Sequence, residues 1–77
     1  MHPGNLIPLS VVPTGRAVVL RQIGEMHDLV SRLASLGFVL GVTINVQQND
    51  RNGPVVVGLK GGRVVLGRDM AARMAVE

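Results

Sequence analysis

Three polar residues that lie close together in the sequence, His27, Asp28 and Ser31, are of the types found in a hydrolytic triad. His27 and Ser31 are four residues apart, which places two side chains on the same face of a helix. Asp28 directly follows His27, and consecutive helical residues project about 100° apart, so its carboxylate cannot readily orient the imidazole. The spacing instead favours an ion pair between Asp28 and Arg32. We therefore predict no catalytic residue, interpret His27 as a solvated helix residue, and expect a protein that is not an enzyme.

A metal centre is the second chemistry that the sequence could offer. Such a site needs three or four donors that converge on one point. The chain contains two histidines, His2 and His27, together with five acidic residues and no cysteine. Neither His27 with Asp28 nor His27 with His2 completes a set, so we predict no metal site and no cofactor. The lack of cysteine also rules out a disulfide scaffold and is compatible with a reducing compartment.

Glycine-rich and basic residues raise the question of nucleotide or nucleic-acid binding. Residues 58–63 read Gly-Leu-Lys-Gly-Gly-Arg, which lacks the glycine spacing and the following Lys-Ser/Thr of a P-loop. Eight basic and five acidic residues give a net charge of +3, but the basic residues form no run, and Phe38 is the single aromatic residue. Because proteins bind single strands by stacking bases on aromatic rings, the sequence disfavours nucleic acid, which stays an alternative partner.

Side chains that could contact another protein are the remaining functional candidates. Apolar anchors supply much of the energy of an interface, and arginine pairs well with carboxylates. The predicted partner-binding residues are Arg32, Arg63, Arg68, Met26 and Met70. Each also has a purely structural interpretation. Arg32 could pair with Asp28, Arg68 could pair with Asp69 or cap a carbonyl, and the spacing of the methionines favours burial.

One amphipathic helix positions several of these residues. Apolar residues at positions 26, 29, 30, 33 and 36 recur at three- and four-residue steps, which predicts a helix over about residues 25–36. Gly37 follows the last of them, where glycine can take the left-handed conformation that ends a helix. Gly41 offers a second bend, and we expect Phe38, between the two glycines, to pack into the core.

Short strands account for most of the remaining chain. Valine-rich or alternating runs predict strands at residues 16–22, 42–48, 55–60, 63–66 and 74–76. Residues 48–54 are polar turn formers and predict a mobile hairpin loop, and Gly61-Gly62 predicts a two-residue primed turn. Gly58 either weakens its strand or marks a bulge. Residues 67–72 predict one helical turn before the last strand.

The length of the chain allows one domain with a thin core. We treat residues 1–77 as a single domain in which residues 1–5 form a loose tail. Five strands with one inserted helix predict a mainly β fold, a small and partly open barrel. No run approaches the roughly 20 apolar residues that span a bilayer, and the first residues lack the charged region of a secretory signal. We therefore expect a cytoplasmic protein that does not insert into membranes.

The order and spacing of these residues resemble the ferrous iron transport protein A (FeoA) family over about residues 6–76. The first part of the resemblance consists of Leu9, Gly15 and the strand Ala17-Val18-Val19. The central part is Arg32-Leu33-x-x-Leu36-Gly37-Phe38-x-x-Gly41-x-x-Ile44-x-Val46, followed by Gly53-Pro54. The last part is Gly61-x-x-x-x-Leu66-Gly67-Arg68-x-x-Ala71-x-x-Met74-x-Val76.

This resemblance implies an SH3-like barrel and a non-enzymatic role. Members of the family are small cytoplasmic accessory proteins of bacterial ferrous iron uptake. The resemblance implies that this chain modulates the membrane transporter by binding its cytoplasmic GTPase region, the transporter being FeoB-like. Two alternatives stay open: a nucleic-acid-binding small basic barrel, and a self-associating structural module, a homo-oligomer whose open sheet edges pair between copies.

Overall fold

The computed structural model describes residues 5–24 and 27–77 as a single antiparallel sheet with two short α-helices. The strands are β1 (Ile7–Pro8), β2 (Ala17–Ile23), β3 (Thr43–Asn49), β4 (Val55–Leu59), β5 (Gly62–Leu66) and β6 (Met74–Val76). The helices are α1 (His27–Ser35) and α2 (Arg68–Ala71), and a 3-10 helix, Leu9–Val11, follows β1. The strand order across the sheet is β1-β6-β2-β3-β4-β5. Since β1 and β5 do not pair with each other, the sheet is not closed.

The predicted mainly β, partly open architecture is confirmed, with one strand more than expected. That strand is β1, in which Ile7 lies opposite Val76 and Pro8 opposite Ala75. Two residues are too few to show a periodicity, and proline is tolerated here because β1 is an edge strand. The predicted helix over about residues 25–36 is observed as His27–Ser35, while residues 25 and 26 lie outside the described part. Of the predicted tail, the described residue Asn5 is exposed coil.

The core is built almost wholly from aliphatic side chains on one face of the sheet. Val18 of β2 lies opposite Ile44 of β3, and both are buried, as are Leu20 and Val46 two residues further along their strands. This alternation is the two-residue period that predicted both strands. Phe38 is 1% exposed, which confirms its expected place in the core. The full set of buried hydrophobic residues is Leu9, Val12, Val18, Leu20, Leu33, Phe38, Ile44, Val46, Val55, Val57, Leu66, Ala71, Met74 and Val76.

The turn between β4 and β5 lies one residue earlier than predicted. Leu59 pairs with Gly62, so Lys60 and Gly61 are its two central residues instead of Gly61 and Gly62. Gly61 has a φ of +92°, whereas Lys60 has no positive φ. A positive φ at the second central position alone is the pattern of a type II turn, not of a primed turn. With adjacent glycines, the sequence could not indicate which one occupies the left-handed position.

A bulge lies beside Gly58, on the neighbouring strand. Asn45 pairs with Gly58 and Val46 with Val57, but the next pair is Gln48 with Val56, which leaves Gln47 as the extra residue of β3. A Cβ on Gly58 would lie 2.5 Å from the side-chain nitrogen of Gln47. The absence of a side chain at Gly58 therefore leaves room for the Gln47 amide to lie over β4.

Two glycine-to-alanine substitutions are expected to differ in their effect on stability. Gly37 has a φ of +104°, so Gly37→Ala places a side chain in the left-handed region and lowers the free energy of unfolding by about 1–2 kcal/mol. Gly58→Ala meets only the mobile end of Gln47 and also removes chain entropy from the unfolded state, so its effect stays within about 0.5 kcal/mol. Urea unfolding of both variants measures the difference. Equal destabilisation by the two substitutions would contradict the assigned backbone conformations.

Candidate partner-binding surface

The end of α1 is shaped by the two glycines that follow the helix. Backbone N–H groups of Leu36 and Phe38 both donate to the carbonyl of Leu33, at 3.0 and 2.9 Å. Gly37 then turns the chain with its positive φ, and Gly41, with a φ of +92°, donates its N–H to the carbonyl of Leu20 at 2.7 Å. The segment between the glycines is thus fixed at both ends, to the helix and to β2.

This geometry buries one side of the segment and exposes the other. Leu33 and Phe38 point into the core, whereas Leu36, Val39 and Leu40 are 49%, 52% and 65% exposed. Val30 on α1 and Leu36, directly after its last residue, each lie three residues from Leu33, and therefore about 60° to either side of the buried direction. Val30 is also exposed. The predicted apolar stripe is consequently only partly buried among its described side chains, and its flanks reach the surface.

Arg32 lies four residues before Leu36, and residues at this spacing are neighbours on a helix surface. Arg32 is in the last turn of α1 and is exposed, and its carbonyl accepts a 2.7 Å hydrogen bond from the Ser35 hydroxyl. A cation in the last turn of a helix interacts favourably with the helix dipole. We name the exposed set the α1-end surface, and its members are Arg32, Leu36, Val39 and Leu40. Large exposed aliphatic side chains within one short segment are typical of a surface that binds another protein.

The other predicted partner-binding residues lie on separate elements. Arg63 is exposed on β5. Met70, on α2, is half-buried and packs against the core, so only part of its side chain is accessible. Met26 lies outside the described residues. Met74, the methionine of the last strand, is fully buried in β6.

Arg68, at the start of α2, is half-buried, and its guanidinium donates hydrogen bonds to its own chain. Nε donates to the carbonyl of Gly53 at 3.2 Å, and Nη1 donates to the carbonyl of Ser10 at 3.1 Å. Nη2 donates to the side-chain oxygen of Asn49 at 2.6 Å and to the carbonyl of Asp50. The expected capping of a carbonyl by Arg68 is therefore observed, and it involves three carbonyls. Its guanidinium holds the loop between β3 and β4 against the 3-10 helix.

Asn49 completes this arrangement and was not identified from the sequence. Its side-chain nitrogen donates to the carbonyls of Ser10 and Val12, at 2.9 and 2.7 Å, and its backbone N–H donates to the Thr14 hydroxyl at 3.0 Å. Asn49 lies among polar turn formers, so its type suggested only a loop. The segment predicted as a mobile hairpin loop is instead anchored by Asn49 and Arg68.

Neither a metal site nor a membrane-spanning helix is found in the part of the chain that the structure describes. Within residues 5–24 and 30–77, whose side chains the structure describes, no three His, Asp, Glu or Cys side chains are grouped so that they could hold a metal ion. No helix in this part of the chain is both long and apolar enough to cross a bilayer. The predicted ion pair of Arg32 involves the side chain of Asp28, which lies outside the described side chains.

The family model for the FeoA domain matches residues 7–77, almost the whole chain. The chain belongs to the FeoA domain family. This assignment confirms the resemblance seen in the sequence and associates the protein with ferrous iron transport.

Relatives of known sequence or structure agree with this assignment. A protein from Methanocaldococcus jannaschii, provisionally named Fe(2+) transport protein A, is 32% identical over 72 residues, which cover 94% of this chain and 87% of the relative. The crystal structure of an iron uptake regulatory protein, FeoA, superposes with a TM-score of 0.87 at 29% identity and covers 95% of this chain and 97% of that one. A zinc complex of FeoA from Stenotrophomonas maltophilia, described as a prokaryotic SH3 domain protein, has a TM-score of 0.77 at 26% identity, with 90% and 87% coverage. The SH3-like fold is thereby confirmed.

Loss of the Arg68 side chain is expected to destabilise this FeoA-family protein. Arg68→Ala leaves the carbonyls of Ser10 and Gly53 without these hydrogen bonds, and we expect the free energy of unfolding to fall by about 2–3 kcal/mol. Arg68→Lys keeps the charge but not the planar fork, and restores only part of the loss. The control Arg63→Ala changes an exposed residue and alters stability by less than about 0.5 kcal/mol. Urea unfolding of all three variants checks this order of stabilities. Equal losses of stability in Arg63→Ala and Arg68→Ala would contradict it.

Proposed function

We propose that this FeoA-family protein is a non-enzymatic cytoplasmic accessory of ferrous iron uptake that binds the GTPase region of a FeoB-like transporter. The observation that carries the proposal is the α1-end surface, where Leu36, Val39 and Leu40 are exposed within five residues. Family membership supports the association with ferrous iron transport. The docking site and the partner region are inferences from this surface and from the sequence resemblance.

The α1-end surface has the physical properties of an interface core. Leu40 and Val39 are the most exposed of its apolar residues, so their burial against a partner removes the most apolar area from water. Because hydrogen bonds from Phe38 and Gly41 fix the segment on both sides, little conformational entropy is lost when a partner binds. Burial of a few apolar anchors on a preorganised loop can provide most of the energy of a small interface.

Charge provides a second, weaker contribution to the binding of a partner. The chain has a net charge of +3, and Arg32 lies within the α1-end surface. An arginine at the rim of an apolar contact mainly raises the association rate with an acidic partner and contributes little affinity once salt screens it. Arg63 is a second candidate for contact, on β5. The hydrogen bonds of Arg68 instead support a role in holding the fold from which these side chains project.

Nucleic-acid binding is the weaker alternative for the same charges. Phe38, the single aromatic residue of the chain, is 1% exposed and cannot act as a platform for a base. Without stacking, affinity for single strands depends on phosphate contacts alone and falls steeply with salt. An exposed apolar surface contributes nothing to such binding, so this alternative leaves the α1-end surface unexplained.

The proposal is tested by an NMR titration of ¹⁵N-labelled protein with the soluble GTPase domain of the cognate transporter, with and without guanine nucleotide, at physiological salt. We expect amide shifts concentrated at residues 30–42. Leu40→Ser is expected to raise the dissociation constant at least about 10-fold, because it removes the most exposed apolar anchor. Val11→Ser, a matched change at an exposed residue of the 3-10 helix, changes the dissociation constant less than about 2-fold.

Three results would overturn this assignment. The absence of any shift at several hundred micromolar GTPase domain contradicts docking onto that domain. Shifts centred on β5 and Arg63, with no effect of Leu40→Ser, contradict the α1-end surface as the site. Tighter binding of a short single-stranded oligonucleotide than of the GTPase domain, with affinity lost between 50 and 200 mM salt, favours the nucleic-acid alternative.

A further inference from the structure

Strand β5 forms an open edge of the sheet, and a single charged residue is its protection against pairing. It pairs with β4 over Gly62–Leu66 without a break in register, and it is the last strand in the sheet order. Natural edge strands are commonly blunted by proline, a bulge, an inward-pointing charge or charged side chains along the edge, and of these β5 has one exposed charged residue, Arg63. Val65 is 62% exposed. Such an edge can accept a further strand.

The hairpin geometry determines which backbone groups of β5 face outward. In a two-residue turn the closing pair, here Leu59 and Gly62, is joined by a backbone hydrogen bond. Antiparallel pairs then alternate between hydrogen-bonded and non-hydrogen-bonded, so Val64 and Leu66 also face β4. Arg63 and Val65 therefore direct their N–H and C=O groups away from β4. In the described part of the chain, neither of these residues has a backbone hydrogen bond with a group beyond the β4–β5 ladder.

We propose that two copies of the chain pair antiparallel through β5, with Val64 facing Val64 of the second copy on the two-fold axis. In this register Arg63 of each copy lies opposite Val65 of the other. Each of these two pairs is hydrogen-bonded, because both residues face outward, and each exchanges two N–H···O=C bonds. All four outward-facing backbone groups of each copy are thereby satisfied. A register centred on any other residue leaves some of them unpaired.

The side chains of β5 are compatible with this symmetric register. Arg63 and Val65 both lie on the outer face of the sheet, because they alternate with the buried Leu66 and the half-buried Val64. In the dimer the aliphatic stem of Arg63 covers the exposed Val65 of the second copy, and the two arginines are not directly opposite each other. The two arginines are diagonal neighbours instead, so the repulsion between their charges is weaker than in a directly opposite pair. This self-complementarity favours a second copy of the chain over an unrelated extended peptide.

The dimer is expected to be weak. Two five-residue edges bury much less than the ~1,600 Å² of a standard interface, so we expect a dissociation constant on the order of 100 µM. Such a dimer forms at high local concentration. It uses no residue of the α1-end surface, so this proposal goes beyond the proposed function and can fail or hold independently of it.

Sedimentation equilibrium of the whole chain between 10 µM and 1 mM tests the proposal, together with amide NMR over the same concentrations. We expect the mean mass to rise towards twice the monomer mass, with concentration-dependent shifts at Arg63 and Val65. Val65→Pro is expected to weaken the dimer at least about 10-fold, because its ring removes an outward N–H and two of the hydrogen bonds of the pair of strands. The fold tolerates this change because that N–H does not pair with β4, and far-UV circular dichroism checks it.

Two variants of opposite charge at position 65 test the register itself. Val65→Lys places two lysines opposite two arginines, whereas Val65→Glu places two carboxylates there, so the glutamate variant should associate at least about 10-fold more tightly than the lysine variant. Raising the salt to 0.5 M should reduce this ratio. Val11→Lys and Val11→Glu carry the same changes of net charge on the exposed 3-10 helix, and we expect them to differ less than 2-fold.

Each contrary outcome overturns the β5 dimer. A monomer mass up to 1 mM excludes self-association through this edge. A dimer whose affinity is unchanged by Val65→Pro forms through another surface. If the affinities of the glutamate and lysine variants differ by the same ratio at position 11 as at position 65, the difference is a general effect of net charge and does not reflect the proposed register.

Discussion

An open sheet that must still exclude water from its core is the constraint on which this structure depends. Six strands that do not close into a barrel leave the core accessible from one side, so residues outside the sheet must cover it. Leu9 and Val12 do so from the 3-10 helix and its end, Leu33 and Phe38 from α1 and its loop, and Ala71 from α2. The 3-10 helix and α2 are held in place by the hydrogen bonds of Arg68 and Asn49. The α1 end is held by the turn geometry of two glycines.

This constraint also explains which features were predictable from the sequence. Strands and α1 were predictable because local periodicity identifies them, as with Val18 and Leu20. The role of Asn49 was not, because its partners Ser10 and Val12 lie 39 and 37 residues away, and no local pattern indicates such a distance. Similarly, the three- and four-residue spacing identified the apolar stripe of α1 but not how far each of its side chains is buried. That burial depends on how many sides of the helix the small sheet can cover.

The arginines illustrate the difference between residue type and residue role. Arg68 and Arg32 both follow the family pattern, and both were predicted to contact a partner. Arg68 lies where two loops meet with exposed carbonyls, so its planar donors are used within the chain. Arg32 projects from a helix that buries only Leu33 among residues 30–35, and its side chain is exposed beside Leu36. The contrast arises from the environment of each side chain, which is the part of a site that a single sequence does not contain.

The two proposed surfaces have a joint consequence because they share no residue. A dimer formed through β5 carries two α1-end surfaces, so a partner that is itself held in pairs or clusters in a membrane can engage both at once. The second contact is then intramolecular, and its effective concentration can reach the millimolar range. Two weak interactions, a small apolar contact and a short strand pairing, would then give selective attachment to assembled partners while leaving isolated partners largely unbound. Weak self-association is in this respect an advantage, because a tight dimer would bind in the same way at every partner density.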